Sequence, residues 1–175
     1  MNPPDAEPWS FPYAPVPHGG AVWLEGVASA LLVVHALAAI ALLGATTHDA
    51  VLVIGFLRSR FGRAGLERLY VRIQLVAYLA TFALGAVIYP AYRIYVRAAV
   101  FDRWAPWASN LFDIKENFAA LGLPVVVAYA WLRSRFDPRK DVAWRPLYAV
   151  LGLTAAALVW FQAVAGLVLV AERGL

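Results

Sequence analysis

The sequence contains no cysteine, which excludes disulfide bonds, thiolate metal sites and cysteine nucleophiles. It also contains a single methionine, Met1, and three histidines, so few side chains are suited to ligate haem. The sequence signatures of P-loop, dinucleotide-binding, zinc-protease and nucleophile-elbow proteins are missing. No motif therefore supports an enzymatic activity of the chain on its own.

Charge is scarce as well, since charged residues make up only 15% of the 175 residues, whereas soluble domains carry about 25%. Hydrophobic residues make up 62%, and the mean hydropathy is +0.66. A soluble domain of this length would leave much of that apolar surface exposed to water. The composition therefore predicts an integral membrane protein with a single domain.

Four apolar stretches follow one another along the chain, and each is long enough for the roughly 20 helical residues that cross a bilayer. They cover residues 22–57, 73–92, 111–132 and 146–171. The first is the longest, so we expect a tilted helix there. The pattern predicts an all-α, four-transmembrane-helix bundle with up-down-up-down topology over residues 21–175.

Residues 1–20 have a different composition, with six prolines, two acidic residues and no lysine or arginine. Proline at this density prevents a regular helix. The segment also lacks the basic start and small-residue cleavage site of a signal peptide. We expect a Pro-rich tail on the extracytoplasmic side.

Basic residues between the spans predict the orientation of the bundle. Residues 58–72 and 133–145 hold five arginines or lysines each. The other side of the predicted bundle has four arginines, at positions 93, 97, 103 and 173. Because cytoplasmic loops are enriched in basic residues, both termini are predicted to lie outside. The preference for arginine over lysine and the high alanine content suggest a bacterial cytoplasmic (inner) membrane, with the termini on the periplasmic or extracellular side.

Polar and small residues form stripes on the second and fourth predicted spans. Steps of three or four place such residues on one face of a helix. The stripes comprise Gln74, Tyr78, Thr81, Gly85 and Tyr89 on the second span, and Tyr148, Gly152, Ala155, Gln162 and Gly166 on the fourth. We interpret them as the faces that meet in the bundle interior.

The third predicted span begins with a charged turn that contains Asp113, Lys115, Glu116 and Asn117. A charge at membrane depth is costly unless it is paired or faces water, so each one marks a candidate site. Glu25 and Arg93 are expected at a similar depth on neighbouring helices. Two interpretations stay open, namely a salt-bridge network that fixes the helix register and a functional polar cluster.

Two histidines lie on the first predicted span, His35 at membrane depth and His48 near its cytoplasmic end. A histidine within a membrane helix is typical of b-type haem or metal ligation, here by His35, with His48, Tyr78 and Gln162 as further candidate cofactor-binding residues. The two imidazoles point about 220° apart around the helix. Since no other predicted span contains histidine, a second haem ligand would come from elsewhere.

Three functions are compatible with these features. The first is a small integral subunit or accessory protein of a larger respiratory or redox membrane complex, with other subunits or a second copy as partners and no nucleic acid. The second is an electron-transfer protein that binds b-type haem or quinone at His35. The third is a proton or small-ion conductor that uses Glu25, Asp113, Glu116 and His35.

Overall fold

The computed structural model describes residues 27–172, and every regular element in that range is helical, as predicted. In chain order the elements are α1 (Ala28–Leu57), α2 (Ala64–Tyr92), a π-helical segment (Arg93–Phe101), α3 (Asp102–Trp104), α4 (Pro106–Arg135), a 3₁₀ turn (Val142–Trp144) and α5 (Arg145–Glu172). Four of these helices have 28 to 30 residues. The predicted tail and Glu25 lie outside the described residues.

Helix α1 ends at Leu57, where the predicted first span also ends. The chain leaves the helix through Ser59, which has the left-handed backbone value φ 58°. The Arg60 N–H donates to the Gly55 carbonyl across 2.9 Å, which satisfies one of the last free carbonyls of the helix. This compact turn leads directly into α2.

Helix α2 begins at Ala64, nine residues before the predicted start of the second span at residue 73. Hydropathy marks the part of a helix that suits lipid, whereas Arg68 and Arg72 belong to a helical turn before it. At the other end, Pro90 lacks a backbone donor, and the π-helical segment follows within three residues.

Helix α4 extends beyond the predicted third span at both ends, since it covers Pro106–Arg135 rather than residues 111–132. Pro106 occupies the first turn, where the missing N–H costs nothing. Pro124 lies inside the helix. The length of the helix is therefore set by backbone geometry and tertiary contacts, and not by its apolar segment alone.

Within residues 27–172, three helices are long and apolar enough to cross a membrane, with the ranges Ser29–Leu57, Ala64–Tyr92 and Val142–Glu172. Helix α4 has the same length but is not among them. Its first half contains Asp113, Lys115 and Glu116, which lower its hydropathy. The structure thus supports three of the four predicted spans by length and composition.

The long helices surround a common interior, in which α1 contacts α2 and α5, and α4 contacts α2 and α5. Near the end of α1, the His48 ring stacks on Tyr70 at a centroid distance of 5.4 Å. Further along the same pair, His35 lies against Gly85. We call the end with the 58–63 and 136–144 connections the arginine-rich end, and the end with residues 93–105 the opposite end.

Large apolar side chains cover the outside of this bundle, as shown by Ile40, Val76 and Leu167, whose exposed fractions are 67%, 66% and 71%. The interior, in contrast, includes fully buried polar and charged residues. A soluble protein has the reverse distribution, because apolar surface is unfavourable in water. The exterior and the three apolar helices are those of a membrane-embedded protein.

Candidate functional site in the bundle interior

The arginine-rich end contains five buried side chains that we call the buried centre, and all four long helices contribute to it. Its members are Asp49 on α1, Glu67 on α2, Tyr129 and Arg133 on α4, and Tyr148 on α5. None of them is more than 3% exposed. The centre therefore joins helices that are distant in sequence through buried polar and aromatic contacts.

Glu67 is the acceptor on which three of these helices converge. Arg133 Nε donates to its Oε2 across 2.6 Å, and the Tyr148 hydroxyl donates to its Oε1. The two terminal nitrogens of Arg133 donate to the backbone carbonyls of Phe136 and Ala64 across 2.8 and 3.1 Å. Each of the three guanidinium nitrogens thus donates to one acceptor, and Arg133 connects the end of α4 to the start of α2.

Asp49 forms the second half of the buried centre. The Tyr129 hydroxyl donates to Asp49 Oδ2 across 2.7 Å, and the Tyr129 ring packs against Tyr148 at a centroid distance of 4.7 Å. Asp49 Oδ1 has no hydrogen-bond partner among the described residues. The buried centre therefore contains two carboxylates, those of Asp49 and Glu67, and one guanidinium, that of Arg133. When all three groups are ionised, the net charge of the centre is −1.

Helical spacing explains how the sequence brings these residues together. Steps of three or four residues keep side chains on one face. The interior positions are Thr46, Asp49, Val53 and Phe56 on α1, Glu67, Val71, Gln74 and Tyr78 on α2, Val126, Tyr129 and Arg133 on α4, and Tyr148, Gly152 and Ala155 on α5. Small residues allow the close approach, since a Cβ added at Gly152 would lie only 2.9 Å from Tyr129 Oη.

Two further buried polar residues lie next to the centre, toward the middle of the bundle. Thr46 and Gln74 are both 0% exposed. Neither the Thr46 hydroxyl nor either polar atom of the Gln74 amide has a hydrogen-bond partner among the described residues. Because an unpaired buried polar group costs about 1–3 kcal/mol, these atoms are suited to bind something that the protein does not itself supply.

Polar groups continue along the bundle toward the opposite end. The Tyr78 hydroxyl donates to the Ala119 carbonyl of α4 across 2.7 Å. One turn beyond Tyr78, the Thr81 hydroxyl is buried and has no partner within the described part of the chain, and the same is true of Nδ1 of His35 on α1. A Cβ added at Gly85 would lie 3.4 Å from His35 Cε1, so the imidazole packs closely against α2. We call Thr46, Gln74, Tyr78, Thr81 and His35, together with the buried centre, the polar column.

The opposite end has its own charged cluster. Arg97 donates to both carboxylate oxygens of Asp113, across 2.6 and 3.0 Å. Its Nε lies 3.7 Å from Asp102 Oδ1, which also accepts a hydrogen bond from Ser109 across 2.5 Å. Hydrogen bonding to Asp113 raises the pKa of Arg97, so the Arg97 guanidinium stays charged at neutral pH. The partner of Asp113 is therefore Arg97, while Arg93, which was expected at a similar depth, is exposed.

The other members of the predicted polar cluster are more loosely arranged. Lys115 is half-buried, and its ammonium lies 5.8 Å from the Phe112 ring centroid. Its backbone carbonyl accepts a hydrogen bond from Gln162 across 2.8 Å. Glu116 is half-buried and Asn117 is exposed. The cluster predicted from sequence thus divides into an Asp113–Arg97 pair and a Lys115–Gln162 contact.

The candidate cofactor ligands do not meet at one place. His35 lies in the polar column, whereas His48 is exposed and bonds through Nδ1 to the Gly44 carbonyl across 2.8 Å. Tyr78 and Gln162 are engaged with backbone carbonyls of α4. Among the described residues, no group of three or more His, Cys, Asp or Glu side chains is placed to hold a metal ion.

Sequence reasoning missed the buried centre because Glu67 and Arg133 lay in segments assigned to loops. The signal was present, since Glu67 extends the Gln74 and Tyr78 stripe by two turns, and Arg133 follows Tyr129 by one turn. Comparison of the chain with known protein families, with curated proteins and with solved structures found no match.

Proposed function

We propose that this chain crosses the membrane four times, in up-down-up-down order with both termini outside, and that it conducts protons or small cations through the bundle interior. The observation that carries the proposal is the polar column, in which buried polar side chains recur at successive turns inside an apolar exterior. Intramembrane ionisable residues are retained for function more often than for stability.

The length of the column supports transmembrane conduction. On α2 alone, the residues from Glu67 to Thr81 cover about 21 Å of helix axis, which is most of a hydrocarbon core roughly 30 Å thick. The series of polar groups continues past Thr81 with His35 and the half-buried Lys115, and it leads toward Asp113 at the opposite end. A path of this extent has polar groups at each level of the bundle.

The chemistry of the column also suits ion transfer. Hydroxyl, carboxylate and imidazole groups both accept and donate protons, and their oxygens bind small cations. Several of them have polar atoms without a partner among the described residues, namely Thr46, Asp49, Gln74, Thr81 and His35. Such atoms favour entry of water or ions, which supply the missing hydrogen bonds.

The charges on α4 fit a four-span arrangement in which this helix faces its neighbours. Arg133 is only 3% exposed and is bound to Glu67, while Asp113 is bound to Arg97. Pairing reduces the cost of charge near lipid. The low hydropathy of α4 therefore reflects charges that are paired, in the interior at Arg133 and at the opposite end at Asp113. The arginine-rich end is assigned to the cytoplasmic side by its basic residues.

The hypothesis of a subunit in a larger redox complex, and that of a haem or quinone protein, stay predictions. The described residues contain no feature that favours a protein partner over lipid at the apolar exterior. For haem, they contain no second imidazole in the bundle interior to pair with His35.

Flux measurements on reconstituted liposomes test the proposal. Wild-type protein is expected to dissipate an imposed pH or cation gradient faster than empty liposomes, with the potential clamped by valinomycin and potassium. Gln74→Leu replaces the buried amide in the column by a side chain of similar volume, and we expect flux to fall by about tenfold or more. Asn117→Leu, at an exposed amide outside the column, is the matched control and should keep wild-type flux. Wild-type flux equal to that of empty liposomes contradicts the proposal, as does full flux in Gln74→Leu.

A further inference from the structure

Three oxygen atoms inside the bundle lack a partner among the described residues and lie in side chains that are almost completely buried. They are Thr46 Oγ1, Asp49 Oδ1 and Gln74 Oε1, and the residues are 0%, 1% and 0% exposed. In water each oxygen would be hydrogen-bonded. Their burial without such bonds is unfavourable unless a ligand replaces the water.

Helical spacing places these three residues on the buried faces of α1 and α2. Thr46 and Asp49 are three residues apart on α1 and share one face. The stacking of His48 on Tyr70 fixes the register of α1 against α2. Gln74 lies one turn beyond Tyr70 on the interior face, so its depth is within about 3 Å of that of Thr46. Asp49 lies about 4.5 Å from Thr46 along the α1 axis.

The local charge indicates the kind of ligand. Asp49 and Glu67 contribute two negative charges when ionised, and Arg133 contributes one positive charge. Arg133 is committed to Glu67 and to two backbone carbonyls, so Asp49 receives only the neutral hydroxyl of Tyr129. One additional positive charge at Asp49 would make the centre neutral. Neutrality matters because an unbalanced charge at this depth is strongly unfavourable.

The types of oxygen atom at the site further restrict the class of cation that would bind. Carboxylate, amide and hydroxyl oxygens are the ligands of hard cations, whereas softer transition metals favour imidazole or thiolate. A divalent ion would leave the centre with a net charge of +1. A single charge together with several oxygen ligands matches an alkali-metal cation.

We propose that Thr46, Asp49 and Gln74 form a binding site for one alkali-metal cation. The role of this site in conduction rests on the proposed function. The site adds to that function the class of ion that the polar column would bind at this level. Tyr129 acts as a positioning residue, since its hydrogen bond holds Oδ2 of Asp49, while Oδ1 has no partner among the described residues. Binding itself requires no movement of ions along the column.

Equilibrium binding of ²²Na⁺ to the detergent-purified full chain tests the site, with sodium as the probe. Wild-type protein is expected to bind one ion per chain, and to unfold at a higher temperature in NaCl than in choline chloride of equal ionic strength. Thr46→Val keeps the side-chain shape and removes the hydroxyl. We expect it to weaken sodium binding by about 10- to 100-fold, and Asp49→Asn to weaken it at least as much.

Two control variants distinguish this site from general effects of polarity and charge. Thr47→Val removes a neighbouring hydroxyl that already donates to the Leu43 carbonyl. Asp113→Asn removes an acidic group at the opposite end. Both should bind sodium as wild type does. The proposal is overturned if wild-type protein shows no saturable sodium binding, or if Thr46→Val binds as tightly as Thr47→Val.

This binding assay separates the site from the conduction proposal. Sodium binding without flux in liposomes would leave the site intact and would contradict conduction. Flux that persists while purified protein binds no sodium would overturn the cation site alone, and the column would then carry protons.

Discussion

Tyr129 on α4 donates a hydrogen bond to Asp49 on α1 across 2.7 Å, although the two residues are 80 positions apart in the chain. Both are buried, and the Tyr129 ring also packs on Tyr148 and fills the space beside Gly152. One side chain therefore combines a polar contact to α1 with close packing against α5. The stability of this end of the bundle depends on both.

Removal of the Tyr129 hydroxyl tests the polar part of that contact. Tyr129→Phe leaves Asp49 without its hydroxyl donor, and we expect a loss of about 1–3 kcal/mol in the free energy of unfolding. The measurement is a denaturant titration in mixed detergent micelles. Tyr70→Phe is the control, since the Tyr70 hydroxyl has no hydrogen bond among the described residues; it should change stability by less than about 0.5 kcal/mol. Equal losses in the two variants would contradict the account.

Arg133 and Arg135 provide a second matched comparison, because both lie in the last turn of α4. Arg133→Met leaves Glu67 as an uncompensated buried charge, which should cost about 3–5 kcal/mol. Arg135 is exposed, and Arg135→Met should change stability by no more than about 0.5 kcal/mol. In the double variant with Glu67→Leu, much of the loss should be recovered. Additive losses in the double variant would show that the pair is not coupled.

The start of α2 illustrates why part of the fold was not predictable. Hydropathy located the apolar segments well, and the end of α1 at Leu57 coincides with the first arginine after the run. It did not locate the start of the helix at Ala64, because helical hydrogen bonds continue where the side chains become basic. The basic side chains indicate where the helix leaves the lipid, and the helix itself extends past that point.

The buried centre was hidden for a related reason. Arg133 was counted among the basic residues of a loop, yet its guanidinium lies inside the bundle. Its burial depends on Glu67 and Ala64 approaching from α2, which is a tertiary contact that no local pattern of α4 encodes. The interior faces of α2 and α5, in contrast, followed from spacing alone, as Gln74, Tyr78 and Tyr148 show.

Substitution by alanine is expected to have opposite effects on stability at Gly152 and at Gly44. A Cβ at Gly152 would lie 2.9 Å from Tyr129 Oη, so Gly152→Ala should destabilise the protein by about 1–3 kcal/mol through overpacking. At Gly44 nothing lies within 4 Å, and the position is inside α1. Gly44→Ala should therefore stabilise by about 0.5–1 kcal/mol, because alanine favours the helix. Thermal unfolding of both variants in one detergent checks the signs, and a stabilising Gly152→Ala would contradict the packing described here.

The number of membrane crossings is open to a direct chemical test, because the chain has no cysteine of its own. Single cysteines can be introduced at Gly62, Arg103 and Lys140, which are all exposed and lie in or beside the connections between the long helices. A membrane-impermeant maleimide added to intact cells then labels only cysteines on the outer side. Permeabilised cells provide the positive control for each variant.

Labelling of these three variants tests the central claim, that α4 completes a four-span bundle with the polar column across the bilayer. We predict that Arg103→Cys is labelled in intact cells, and that Gly62→Cys and Lys140→Cys are labelled only after permeabilisation. Equal labelling of Arg103→Cys and Lys140→Cys in intact cells would place both ends of α4 on the same side of the membrane, and would contradict the account.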